Sequence, residues 1–305
     1  MKRIAAAGAA LVAAAVASGC GAVPDSDIAA RVADEEMSVE RLESVLDELA
    51  SAPSSGISTD EATGTVDAAI ARNVLSAFVT VAATHEFLAQ HGESITDEDR
   101  QAFLGTVPED DPARDQPEVL ELIVELNAAN TALQRVAAPD AATLQARYEE
   151  SPADLGVLCV RHVQLDDEAT ARDVAAEIEA GADVEEVAME RSQDSSAAQN
   201  GGAIELMPGR GCVGVVDAVQ QGLPQSFVDA ALTLAPGSAP VVAETAVGWH
   251  VIVARPYDEI AEGLTAVFEE GAGRLLFTSF LRDLDVRVDP RYGRWDPAVG
   301  AVVAL

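Results

Sequence analysis

The sequence has 305 residues, with 19 Lys+Arg against 52 Asp+Glu and a formal net charge of −33. So acidic a surface repels polyanions, which argues against nucleic acid as a partner and against direct contact with anionic membrane faces; it suits basic, unfolded chains, although a solvated surface with no specific partner is the simpler reading. Hydrophobic residues at 49% exclude global disorder, and aromatics at 4% require a core built mostly from Ala, Val and Leu.

Lys2 and Arg3 precede an apolar, Ala-rich run from Ile4 to Val16 that is short for a membrane span. Val16-Ala17-Ser18-Gly19-Cys20 follows. Charge, apolar run, small residues and cysteine in that order resemble a bacterial lipobox, with Ala17 where Leu is usual. The resemblance implies a signal peptide over 1–19, lipidation of Cys20 and a place on the extracytoplasmic face of the cell membrane. An ordinary secretory signal with a chance Cys20 is the alternative. Cys159 and Cys212 remain, and an even pair in an exported chain reads first as a disulfide.

Residues 20–30 read as a polar tether, and 31–150 as a helical domain. Leu42, Val45, Leu46 and Leu49 fall at helical spacing behind Ser38, whose capping box is incomplete because Arg41 stands where Glu or Gln belongs. Pro53 breaks the pattern. Val66, Ile70, Val74, Phe78, Val81 and Leu88 predict a second helix that stops at Gly92. Thr96 caps a third, whose first turn is acidic; a fourth spans 119–136 and a fifth starts at Pro139. His85 and His91 are six residues apart and so do not share a helix face as a metal pair would; they read as surface or packing residues.

Residues 151–256 change character. Val157 to Leu165 predicts a strand, Glu168 to Ala180 a helix, and Val184 to Arg191 another that Asp183 caps. Asn200-Gly201-Gly202 predicts a tight turn, 203–207 a short strand, 208–214 an irregular excursion, 226–232 a helix, and 239–243 with 248–254 a hairpin. Residues 257–305 carry one long apolar stripe, weakened at Gly263, Gly271 and Gly273, then a short strand at 286–288 and a packed cluster at Arg291 to Trp295.

Several pieces in order resemble the parvulin-type peptidyl-prolyl isomerases: Arg161-His162, Gly181-Ala182-Asp183, Arg191 to Ala197, Gly201-Gly202, Phe227 to Ala231, Leu234 to Gly237 and Gly248 to Ile252. Helices before and a long helix after resemble exported foldases of the SurA/PrsA type. The resemblance implies an α+β fold: a small antiparallel parvulin sheet wrapped by helices and inserted in an all-α chaperone domain, which 257–305 completes. It implies His162, Asp194 and His250 as catalytic residues, and Ile204, Leu223 and Phe227 as the wall that receives the proline ring. It implies no cofactor and no metal, folding exported polypeptides as clients, and a membrane reached only through the lipid. It also places Cys212 near the sheet rim, within bridging reach of Cys159. The sequence departs from the family at Ala203-Ile204-Glu205, in its longer excursion and at Val247.

Other readings stay open. The domain is a degenerate holdase, or the chain is a structural lipoprotein that scaffolds an envelope complex. Cys159, His162, Cys212 and His250 form a Cys₂His₂ metal set, or Cys159 is a nucleophile; strand alternation opposes both, because it puts Cys159 and His162 on opposite faces.

Overall fold

The computed structural model describes residues 27–51, 66–205 and 211–305. The signal segment, Cys20, the tether up to residue 26, the Pro53 run and residues 206–210 lie outside the described residues.

The chain opens on strands where tether and helix were expected. β1 (Ile28–Val32) and β2 (Glu35–Ser38) form an antiparallel hairpin, and β1 also pairs with β8 (Val286–Val288) from the far end of the sequence. The region outside the isomerase-like stretch is therefore mainly, not wholly, helical. Ala29, Ala30, Val32 and Met37 bury their side chains. Small residues carry little strand signal of their own, and a strand whose partner is distant is stabilised by that partner.

The helices follow as their caps and stripes predict. α1 (Val39–Ser51) starts at Ser38, whose Oγ accepts the Arg41 N–H at 3.1 Å. α2 (Ala68–Gln90) buries Val74, Phe78, Val81 and Leu88. α3 (Asp97–Leu104) opens with a complete capping box between Thr96 and Asp99. α4 (Pro117–Leu133) and α5 (Ala141–Glu150) finish this part.

Then come β3 (Val157–Leu158), β4 (Val160–Leu165), α6 (Glu168–Glu179), α7 (Val184–Arg191) and the single turn α8 (Ala197–Asn200). β5 (Val213–Gly214), α9 (Val215–Gln220), α10 (Gln225–Ala231), β6 (Val241–Thr245) and β7 (Gly248–Ala254) follow. The strand expected over 157–165 breaks at Cys159. The strand expected after the double glycine reduces, among the described residues, to a bridge from Ala203 to Arg161. In the described part of the excursion, Val213 and Gly214 form β5, paired with β3, and the helix α9 follows directly.

β4, β7 and β6 make an antiparallel sheet with β7 in the middle. Alternation gives it two apolar faces. Val160, Ala243, Ile252 and Ala254 pack under α9 and α10, while Val163, Leu165 and Val251 pack under α6 and α7. α11 (Tyr257–Asp283) leaves the sheet and runs through a separate core with Phe87, Leu133, Leu144 and Tyr148. β9 (Arg294–Asp296) and β10 (Ala301–Val303) pair with each other and lay Trp295 and Val302 against α2 residues.

The weak points in α11 have separate reasons. At Gly271 the backbone leaves the helix (φ −170°, ψ 45°). At Gly273 a Cβ would sit 1.9 Å from the Leu133 carbonyl oxygen, so only glycine lets α11 and the end of α4 approach so closely. Gly273→Ala is expected to cost about 1–3 kcal/mol by overpacking, read as a lowered Tm. Gly271→Ala, whose Cβ would meet nothing nearer than the Arg274 side chain at 3.9 Å, is expected to cost far less.

Candidate active site

Register brings the two sheet histidines together. His162 pairs with Ile252 and His250 with Gln164, so the histidines sit diagonally on one face of β4 and β7. Their Nδ1 atoms are 3.1 Å apart, and the rings lie within 6° of parallel. Both side chains are buried, at 5% and 4% exposure. Phe227 from α10 meets both rings edge-on, with centroids 5.5 and 5.3 Å away.

The outer nitrogens are also bonded. His162 Nε2 is 2.9 Å from Asp194 Oδ2. Asp194 lies in the turn before α8, where its Oδ1 accepts the Ser196 N–H at 2.9 Å and hydroxyl at 2.8 Å. On the other side, His250 Nε2 is 3.0 Å from Thr245 Oγ1, at the end of β6. Thr245 was not singled out from the sequence; its closeness to the Gly248 turn is the only signal it offered.

Electrostatics fix the protons in this chain. Burial lowers the His162 pKa more than the Asp194 carboxylate raises it. Burial, with His162 adding to it, lowers His250 to about 4. Burial pushes Asp194 up, but the Ser196 and His162 hydrogen bonds win and hold it below the usual carboxylate range. Near neutral pH, Asp194 is therefore an acceptor only, and both imidazoles are neutral. His162 must carry its proton on Nε2 to donate to Asp194. Its Nδ1 is then an acceptor, so His250 must donate from Nδ1. His250 Nε2 is left as an acceptor for the Thr245 hydroxyl, whose single proton also faces the Gly248 carbonyl at 3.1 Å, and Thr245 Oγ1 in turn accepts the Val247 N–H at 3.2 Å. Every proton points the same way, from Thr245 to Asp194.

The apolar side of the site comes from the cluster packed on the same sheet face: Phe227 is buried beneath the rings, while Ile204 and Leu223 pack against that cluster half-exposed at its edge. Gly202 fixes the approach of Ile204. With φ +75° and a Cβ that would lie 2.2 Å from the His162 carbonyl oxygen, position 202 requires glycine. The Gly202 carbonyl accepts the His162 N–H at 2.8 Å, and Ile204 N–H then reaches the Val160 carbonyl at 3.0 Å.

Cys159 and Cys212 are joined, with Cα atoms 4.2 Å apart, in the core that α5 and α11 share. Both sulfurs are thereby consumed, which removes the Cys₂His₂ set and the thiol nucleophile. Among the described residues, no group of three or more His, Cys, Asp and Glu is placed to hold a metal ion. His85 bonds Glu35 at 2.8 Å, and His91 bonds the Phe87 carbonyl at 2.8 Å with its ring tilted 38° against that of Phe87.

A three-stranded antiparallel sheet with a bonded histidine pair, an acid on one side and an apolar rim is the arrangement that the parvulin resemblance implies. Residues 160–256 match the family of the PPIC-type PPIASE domain, and this stretch of the chain is a parvulin-type isomerase domain. No curated protein matches the chain. Among solved structures it is similar to the peptidylprolyl isomerase PrsA of Bacillus anthracis at 19% identity, over 68% of this chain and 95% of that one, with a TM-score of 0.27. It is similar to PrsA of Bacillus cereus at 18% identity, over 90% and 96%, with a TM-score of 0.28. A match to SurA-like chaperones of Campylobacter jejuni has 21% identity, covers 61% and 85%, and has a TM-score of 0.25.

A histidine whose pKa is depressed on folding destabilises the fold as pH falls. The unfolded His250 takes a proton near 6.5, while the folded one resists until about 4. Its contribution is lost over that window as the pH drops, by on the order of 3 kcal/mol at the acid end. In a series of Tm values against pH, His250→Gln is expected to show a shallower fall than wild type between those limits. Parallel curves would mean that His250 titrates normally.

Proposed function

We propose that this protein is an envelope lipoprotein that isomerises X-Pro bonds in exported polypeptides and so assists their folding. The directed chain Thr245–His250–His162–Asp194, set beside the apolar edge of Ile204 and Leu223, carries the reading. Prolyl bonds isomerise over roughly tens to hundreds of seconds because amide resonance must be broken. A catalyst need only bind the twisted amide better than the planar one. Ile204 and Leu223 grip the proline ring over Phe227 and exclude the water that favours the polar planar amide. Asp194, with 26% of its side chain exposed, places negative charge near the substrate carbonyl as that group rotates. The histidines donate no proton to substrate; they hold the site's polarity in one direction. No nucleophile, cofactor or metal is needed.

One observation favours a holdase instead. Phe227 is 2% exposed, a floor for the histidines rather than an open wall for proline. Assays on proline tetrapeptides separate the two readings. Asp194→Ala and His250→Ala are each expected to lower kcat/KM about tenfold, roughly 1.4 kcal/mol of transition-state stabilisation, and Leu223→Ala mainly to raise KM. Unchanged rates in all three would remove this site.

The anchor rests on the ordered signal at residues 2–20. Among the described residues no helix is long and apolar enough to cross a membrane. Two or more acyl chains on Cys20 would make retention stable, where one would be marginal. Cys20→Ser is expected to release the protein from the membrane fraction; full retention of that variant would contradict the anchor.

A further inference from the structure

Two buried arginines outside the histidine chain converge on one carboxylate. Arg161, on the opposite face of β4 from His162, donates to the carbonyls of Asn200 and Gly201 at 3.0 and 3.1 Å. Arg255, just after β7, donates to the Gly211 carbonyl at 3.2 Å and to Glu205 at 3.3 Å. The first therefore holds the double-glycine turn that leads to Ile204. The second holds both ends of the segment between Glu205 and Gly211, from which the chain runs on through Cys212 and α9 to Leu223. Both arginine side chains are only 9% exposed, and both reach the same oxygen, Glu259 Oε2, at 3.2 Å from Arg161 Nη2 and 3.3 Å from Arg255 Nε. Glu185 pairs with Arg161 and Glu205 with Arg255, whereas Glu259 bridges the two.

Glu259 is in the first turn of α11, beyond the end of the matched domain at residue 256. We propose that Glu259 is a positioning residue for the isomerase site, through which the long helix α11 sets the proline pocket. The inference rests on the isomerase reading above. Two like charges in a poorly hydrated place repel unless a negative charge lies between them. With the Glu259 charge gone, Arg161 keeps Glu185 and Arg255 keeps Glu205, but the charge between the two guanidinium groups is lost, so their mutual repulsion loosens the pocket segments they hold. None of the side chains of Thr245, His250, His162 and Asp194 bonds these groups; the link to the turn is the main-chain bond from the His162 N–H to the Gly202 carbonyl, so the side-chain bonds of the histidine chain are kept. Loss of Glu259 should therefore loosen proline binding and spare the chemical step. It also makes the pocket respond to any movement of α11 relative to the sheet.

The test is Glu259→Gln in the full chain, with Glu262→Gln on the same helix as a control. Hydrogen exchange is followed at the Ile204 and Gly211 amides, which the two arginine-held segments protect, and at the Val163 and Val251 amides in the sheet. Glu259→Gln is expected to speed exchange at Ile204 and Gly211 about tenfold or more, to leave the sheet amides alone, and to raise KM for a proline tetrapeptide about fivefold with kcat within about twofold. Glu259→Asp, which keeps the charge on a shorter stem, is expected to restore part of both effects. Uniformly faster exchange with a lowered Tm would make Glu259 merely structural and overturn the proposal, as would an unchanged Ile204 amide. The exchange readout decides the clamp without reference to turnover, so a wild type that failed to isomerise would count against the isomerase reading and not against the clamp.

Discussion

The hydrogen bond between His162 and His250 is the interaction on which the rest of the site depends. It joins two buried imidazoles across neighbouring strands, where neither could remain charged and neither could remain unbonded. That one bond forces opposite tautomers on the two rings. The tautomers then dictate a donor at Thr245 and an acceptor at Asp194. The sheet meets the requirement by register, because pairing His162 with Ile252 and Gln164 with His250 places the rings diagonally on one face. A shift of one residue would turn one ring to the other face and break the chain at its centre.

Around the sheet, covalent, hydrogen-bonded and ionic ties add to the apolar packing. The break at Cys159 turns β3 away from β4, and the Cys159–Cys212 bond fastens the excursion there. Tyr148 reaches from α5 to the Arg255 carbonyl at 2.6 Å, so the helical part grips the chain just before α11. Glu205, one of the positions where the sequence departs from the family, is absorbed into the Arg255 cluster at 3.3 Å. An acidic residue at the pocket edge is thus matched by a buried base.

Much of this was legible in the sequence where local chemistry decides the outcome. Thr96 and Asp183 cap helices through their own side chains, and the stripes of α2 and α11 face the cores. His162, Asp194 and His250 came from the ordered motifs; the sheet joins the two histidines, and the turn before α8 brings Asp194 to His162. What escaped depends on distant partners. β1 exists because β8 lies beside it, although its Ala-rich sequence says little. Thr245 acquires a role only because a neighbouring imidazole needs a donor. Glu259 looks like one acid among many until two arginines meet on it. The length and charge of the excursion gave no sign that it would fold into β5 and α9, since those elements lean on β3 and α10 rather than on their own periodicity.

The direct test of the account is the protonation of the histidine pair, read from nitrogen-15 NMR of the imidazoles near neutral pH, with His85→Gln and His91→Gln used to assign the signals. The account predicts two neutral rings of opposite tautomer, His162 protonated on Nε2 and His250 on Nδ1, and loss of that pattern in Thr245→Val. A charged imidazole at either position, or a His250 proton found on Nε2, would contradict it.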